Sequence, residues 1–338
     1  MDATSLQTPD TQANWRRYHY PTGQKPGCGF PVLRAVALFA LAGGALHDVV
    51  TAACYTAELV MFKALWPSLN CGDILLGDRA YGCFPLLAAL PLQGVDVVAR
   101  LHQGRQLDLR RVRKLGPEDW LTTLHRAYII PPYMTAAAWR ALPADIEVRM
   151  IRSTFSRPGL RTRTIWIVTT LTDATCYSAK AIAELYTQRW QLELSWRDLK
   201  TTMGMECLRC RTPAMVEKEL RMFLIDYNGL RGLIAEAAAT HQVSRQSISF
   251  KGTVDTVRTF HPVMLRTQSP RTLKRLRSRL LSILVADALP LRPGRREPRA
   301  AKKRPKPYPL LTKPRRRFKE APYRGAPRPR KRPQTVLT

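Results

Sequence analysis

Five residues with chemistry to offer lie in one short run: Tyr186, Arg189, Glu193, Arg197 and Lys200. Placed on a single helix at about 100° per residue, all five fall within an arc of about 80°. Leu185, Leu192, Trp196, Leu199 and Met203 gather on the neighbouring arc, so the polar stripe runs along the edge of a core. Such a stripe has a plain use, a ladder of Glu193 with Arg189 and Arg197 at i±4, each pair worth about 0.2–0.5 kcal/mol. It has a second use if the partner is a phosphate polymer, because an acid among cations can then sit where charge is handled. The chain as a whole favours such a partner. It carries 55 Lys and Arg against 25 Asp and Glu, a net charge of +30, and a field of that sign draws nucleic acid first and an anionic membrane second.

The spacing Tyr186-x2-Arg189-x3-Glu193-x6-Lys200 is that of a known signature. On it, the chain resembles the DDE transposases of the insertion-sequence-four family. The segment Gly77-Asp78-Arg79-Ala80-Tyr81-Gly82 resembles the one that holds the family's second Asp. Met1-Asp2-Ala3-Thr4-Ser5, followed by Pro9-Asp10-Thr11, resembles the one that holds the first. Lys200-Thr-Thr-Met-Gly-Met205 and a helix opening at Pro213 fit as well, so the likeness runs from Asp2 to about Lys313.

The resemblance implies a catalytic triad of Asp2, Asp78 and Glu193, which would also be the metal ligands. Breaking a phosphodiester builds charge on the attacking and leaving oxygens, and two metal ions about 3.5–4 Å apart stabilise both. Hard cations such as Mg²⁺ or Mn²⁺ take oxygen ligands. Asp2 would bridge the two ions, with Asp78 and Glu193 on one each. Water would free a 3′-OH, which would then attack DNA in a cut-and-paste transposition. Arg189, Lys200 and Arg197 would grip phosphates, with Tyr186 buttressing the same region. Arg197 lies outside the four-position signature. The implied partners are transposon-end and target DNA and a second copy of the chain in the synaptic complex. Two other outcomes stay open: an inactive DNA-binding remnant, and a nuclease of the same fold. Relatives place a DNA-end-binding region and most of the first core strand ahead of the first Asp. On that comparison the chain reads as N-terminally truncated, with a loosely held Asp2.

The elements that must position these residues follow from pattern. The expected fold is α/β, a ribonuclease-H-like mixed sheet flanked by helices and interrupted by a β-rich insertion. Residues 1–27 look polar and turn-rich. Phe30–Leu41 and Ala45–Ala53 read as strands around a Gly43-Gly44 turn, and Ala57–Leu69 as a helix. A short strand, Asp73–Leu76, delivers Gly77-Asp78. A helix over Phe84–Leu92 and a strand over Val95–Arg100 complete the first part of the core, 1–100. The insertion occupies 101–165, with a short helix near Thr135–Leu142. It supplies the distance between Asp78 and Glu193, and its Trp120 and Trp139 are candidates for stacking on a displaced base. The core resumes over 166–245 with the strand Thr164–Thr170 and a long helix from Ser178, a good N-cap, to about Met203. A second helix runs from Pro213 to about Thr240. A helical region over 246–290, including Leu273–Leu289, precedes a basic, Pro-rich tail over 291–338 that reads as disordered.

Other features carry less. Asp10 suits a turn, and His47 beside Asp48 reads as structural, with no nucleophile in view. Gly43-Gly44 lacks phosphate-loop spacing. The seven cysteines suit reduced thiols, and Cys207-x-x-Cys210 has no second pair to complete a zinc site. The longest apolar run, Ala35–Leu46, is too short to cross a bilayer, which needs about 20 residues. Without a signal-peptide pattern either, the expected location is the cytoplasm, at the nucleoid.

Overall fold

A computed structural model describes residues 1–21, 29–102, 112–155 and 163–289. The tail over 291–338 lies outside the described residues. Within them the chain is the expected mixed α/β protein, built on two sheets. Strand β1 (Asp2–Gln7) pairs antiparallel with β2 (Val32–Phe39), which pairs antiparallel with β3 (Leu46–Ala53). The second sheet has six strands in the order β4-β5-β9-β8-β7-β6. They are β4 (Ile74–Gly77), β5 (Asp96–Arg100), β6 (Arg113–Gly116), β7 (Asp119–His125), β8 (Asp145–Phe155) and β9 (Arg163–Thr169). Only β4 and β5 run parallel. The strands of the 101–165 stretch extend this sheet sideways, with β8 hydrogen-bonded to β9 along most of its length.

Helices cover both sheets. Helix α1 is Gln12–Tyr18, α2 Glu58–Lys63, α3 Phe84–Ala89 and α4 Ala136–Ala141. Helix α5 (Ala179–Thr187) starts at the expected N-cap, where the Ser178 hydroxyl accepts from the Ala181 amide. It buries Ile182, Ala183 and Tyr186 against Leu76, Val98, Ile165 and Ile167 of the six-stranded sheet. Helix α6 (Trp190–Arg197) buries Trp196 in a different core, with Leu6, Leu33 and Ala35 of the three-stranded sheet. That core is closed by α7 (Pro213–His241), α8 (Phe250–Arg266) and α9 (Pro270–Ala286). A third core fills the space between the sheets around Val36, Phe62, Tyr81, Leu86 and Val97.

Four expectations need correction. The first residues are not merely turns: Asp2–Gln7 is a strand, and α1 is capped by Thr11, whose hydroxyl accepts from the Asn14 amide. Asp2 is not loose, since it is registered opposite Ala37, and the Met1 ammonium beside it donates to the Leu76 carbonyl at 2.9 Å. The helix over Ala57–Leu69 is only α2 followed by a 3₁₀ turn at Trp66–Ser68, because Pro67 cannot donate to a continuing α-helix. The long helix from Ser178 is three pieces. It breaks between α5 and α6 and ends in a π-helical turn at Asp198–Thr202.

Candidate active site

The first acid stands at the start of β1. The Asp2 carboxylate accepts from the amide of Ala3 at 3.0 Å. It is half-buried, and this burial raises its pKa above the ordinary carboxylate range, against the opposing pull of the Ala3 hydrogen bond and the Arg189 charge.

The second acid follows β4. Asp78 caps a tight turn: its carboxylate accepts from the Ala80 amide at 2.7 Å, and its carbonyl from the Tyr81 amide at 3.3 Å. The turn folds the Tyr81 ring back over Gly77. A Cβ on Gly77 would stand 2.4 Å from the Tyr81 Cβ, so no other residue fits there unshifted. Tyr81 is fully buried, packs edge-on against Phe62, and donates its hydroxyl to Glu58. The other Glu58 oxygen takes Arg34 of β2 at 3.3 Å. The chain Tyr81–Glu58–Arg34 therefore ties the Asp78 turn to the sheet that carries Asp2.

The third acid lies where the helix breaks. Helix α5 belongs to the six-stranded sheet and α6 to the three-stranded one, so the chain must change course between them. It does so through short i→i+3 bonds, Arg189 amide to Tyr186 carbonyl at 3.1 Å and Leu192 amide to Arg189 carbonyl at 3.0 Å. Tyr186 is buried, which raises its phenol pKa, and its hydroxyl is bonded to Arg189. Arg189 Nη2 holds Glu193 Oε1 at 3.0 Å. Lys200 donates to the Ser5 carbonyl of β1 at 3.2 Å and lies 3.8 Å from Glu206. Arg197 is exposed and pairs with its neighbour Asp198 at 3.8 Å.

These elements meet. The charge of Arg189 acts on Asp2, and that of Asp78 on Tyr186 and Tyr81. Asp2, Asp78, Tyr186, Arg189 and Glu193 therefore share one electrostatic neighbourhood where the two sheets adjoin. Among the described residues, however, no three His, Cys, Asp or Glu side chains are gathered closely enough to hold a metal ion.

Sequence reasoning missed Glu58 and Arg34. No spacing marks them, since their role depends on how β2 and α2 pack against the Asp78 turn. Of the two tryptophan candidates, Trp139 is buried against Phe84 and Trp120 is half-buried against Trp166. The fully exposed aromatic of that stretch is Tyr128. Asp10 accepts the Tyr20 hydroxyl at 2.6 Å and His47 bonds the Ser68 carbonyl, both structural.

A mixed α/β chain with acids at two strand ends and a third on a helix crossing between the sheets has the makings of a polynucleotide-processing enzyme. The chain belongs to the family described as Transposase DDE domain, whose model matches residues 1–228. It is 27% identical over 318 residues to the transposase InsG of insertion sequence element IS4 from Escherichia coli strain K12, covering 93% of this chain and 69% of that protein. It is similar also to a piggyBac transposase solved in a synaptic complex with hairpin DNA, at 11% identity and a TM-score of 0.43. That match covers 84% of this chain but only 56% of the other.

Proposed function

We propose that the chain catalyses DNA strand cleavage and strand transfer in cut-and-paste transposition. The observation that carries this reading is the meeting of Asp2, Asp78 and the Arg189–Glu193 pair where the two sheets adjoin, in a chain of the DDE family.

Asp2, Asp78 and Glu193 would hold two divalent ions, Mg²⁺ or Mn²⁺. Their donor type suits such ions, because all three offer carboxylate oxygens, which hard cations prefer. Their present arrangement does not yet form one ligand shell, with Glu193 engaged by Arg189. When bound, the ions would supply charge stabilisation for the attacking and leaving oxygens of the phosphodiester. The chain's own residues do the rest. Arg189, Lys200 and Arg197 offer cations for the phosphates that flank the cut, and Arg suits this best because its planar fork matches phosphate oxygens. Lys200, anchored on the Ser5 carbonyl, keeps its ammonium on the strand that starts with Asp2. Tyr186 fixes the Arg189 end of the stripe. The net charge of +30 brings transposon-end and target DNA to the site, at the nucleoid, with a second copy of the chain completing the synaptic complex. No helix among the described residues is long and apolar enough to cross a membrane.

The test is nicking of element-end DNA in Mg²⁺ or Mn²⁺, comparing the chain with Glu193→Gln. The expected result is loss of cleavage by at least about 100-fold, the scale on which removing one electrostatic stabiliser acts. Equal nicking by both would remove Glu193 from the mechanism. Binding without cleavage in both would favour a DNA-binding remnant. A freed 3′-OH that never joins target DNA would favour a nuclease.

A further inference from the structure

The three acids reach one neighbourhood, yet they do not gather into a metal-binding cluster, and what stands among them is a guanidinium. Arg189 has a side chain only 21% exposed. It holds Glu193 at 3.0 Å, bonds the Tyr186 hydroxyl, and places its charge on Asp2. The other cations of the stripe are engaged elsewhere, Lys200 on the Ser5 carbonyl and Glu206, and Arg197 on Asp198. Arg189 also sits at the point where α5 hands over to α6 through tightened i→i+3 turns, and short 3₁₀ stretches inside helices often mark hinges.

We propose that Arg189 is the resident cation of this acidic site: it neutralises Asp2 and holds Glu193 until divalent ions enter, and it must release Glu193 for them to bind. This rests on the metal-dependent reading above and adds to it a competition that a phosphate-gripping role alone does not contain. Two acids without a counter-ion in a half-buried site would repel each other, and a guanidinium supplies the missing charge. A divalent ion supplies more charge at closer range, so the acids exchange one cation for another. The freed guanidinium then faces a DNA phosphate, for which its fork is well shaped. Metal binding and phosphate binding at this site therefore reinforce each other, and by linkage each must strengthen the other by the same factor.

The experiment is calorimetric titration of the full chain with Mn²⁺, without DNA, for wild type, Arg189→Gln, Asp2→Asn and Glu193→Gln. Removing the competing ion pair should tighten Mn²⁺ binding in Arg189→Gln by about fivefold, the upper range for a partly exposed pair. Affinity that is unchanged or weaker in Arg189→Gln overturns the proposal. If that variant folds poorly, Arg189→Lys keeps the charge but loses the fork, and a smaller tightening is expected. No tightening there is equally fatal. The acid variants separate this failure from failure of the functional reading. Loss of Mn²⁺ binding in Asp2→Asn and Glu193→Gln, without tightening in Arg189→Gln, would sink the exchange alone. Wild-type Mn²⁺ binding in both acid variants would sink the metal assignment and the exchange with it. A second readout is the effect of Mg²⁺ on affinity for a DNA duplex, which should be larger in wild type than in Arg189→Gln. An equal effect in both overturns the exchange.

Discussion

Replacing Gly77 with alanine should damage the Asp78 turn in a way that depends on Tyr81. The added Cβ would meet the Tyr81 Cβ at 2.4 Å, its Cγ at 2.8 Å and its Cδ2 at 3.1 Å. These are the root of the side chain, not its flexible end, so the ring must move as a whole. The ring has little room, being fully buried against Phe62 and pinned through its hydroxyl to Glu58. Forcing a methyl into a packed core costs about 1–3 kcal/mol. Displacing the hydroxyl from a charged acceptor adds about 1.5–3 kcal/mol. Because the shift relieves part of the first cost while incurring the second, a loss of about 3 kcal/mol is expected. Urea unfolding followed by tryptophan fluorescence measures it, with Gly229→Ala as the control. Gly229 lies inside α7 with nothing within 4 Å of a built Cβ, so its alanine should stabilise by about 0.4–1 kcal/mol. The decisive comparison is Gly77→Ala in a Tyr81→Ala background. With the ring gone, the methyl has space, and its added cost should fall below about 0.5 kcal/mol. The same cost in both backgrounds would show that Gly77 is needed for some reason other than the Tyr81 ring, and the account of this turn would be wrong.

Two further expectations follow from charge. Burial raises the Asp2 pKa, so the folded state keeps this proton to higher pH than the unfolded chain does. Ionising it therefore costs stability that is absent in acid, below the ordinary carboxylate range, and develops as pH rises through the folded value. In metal-free buffer Asp2→Asn should be more stable than wild type at neutral pH and equal to it in acid, and a constant gap across that window in thermal melts would refute this. Arg149, 1% exposed, grips Asp119 with bonds of 2.8 and 2.6 Å and donates to the Tyr177 carbonyl. Arg149→Met should cost about 3–5 kcal/mol in urea unfolding by stranding Asp119, and a cost below about 1 kcal/mol would mean that water reaches the pair.

Much of the frame was legible because it rests on local chemistry. Ser178 as an N-cap, Pro213 as a first-turn residue and the short apolar strand leading to Gly77-Asp78 each follow from the residue itself and its neighbours. The elements that escaped are those whose cause lies elsewhere in the chain. Asp2–Gln7 buries only Leu6 fully, and it is a strand because its polar residues pair in register with the buried run of β2. Helix α8 was not separately distinguished; it contains Gly252 and Pro262 and buries only Phe250, Thr253 and Val254.

The break at Gln188–Arg189 is the most instructive case. Nothing in Thr187-Gln-Arg-Trp190 is a helix breaker, so pattern alone extends one helix across it. The cause is tertiary: Tyr186 must bury in the core beneath the six-stranded sheet, while Trp196 must bury beside the three-stranded one. No straight helix was needed to satisfy both, and the turn that resolves the conflict is where Arg189 sits. This also reconciles the two uses of the polar stripe. The i+4 pair of Arg189 with Glu193 is formed, as a ladder would have it, whereas Arg197 turns to Asp198 instead. An ordinary ladder would lie on a solvated face. Here one rung has been drawn between two strand-end acids by the packing of two separate cores, and an ion pair so placed governs when Glu193 is free.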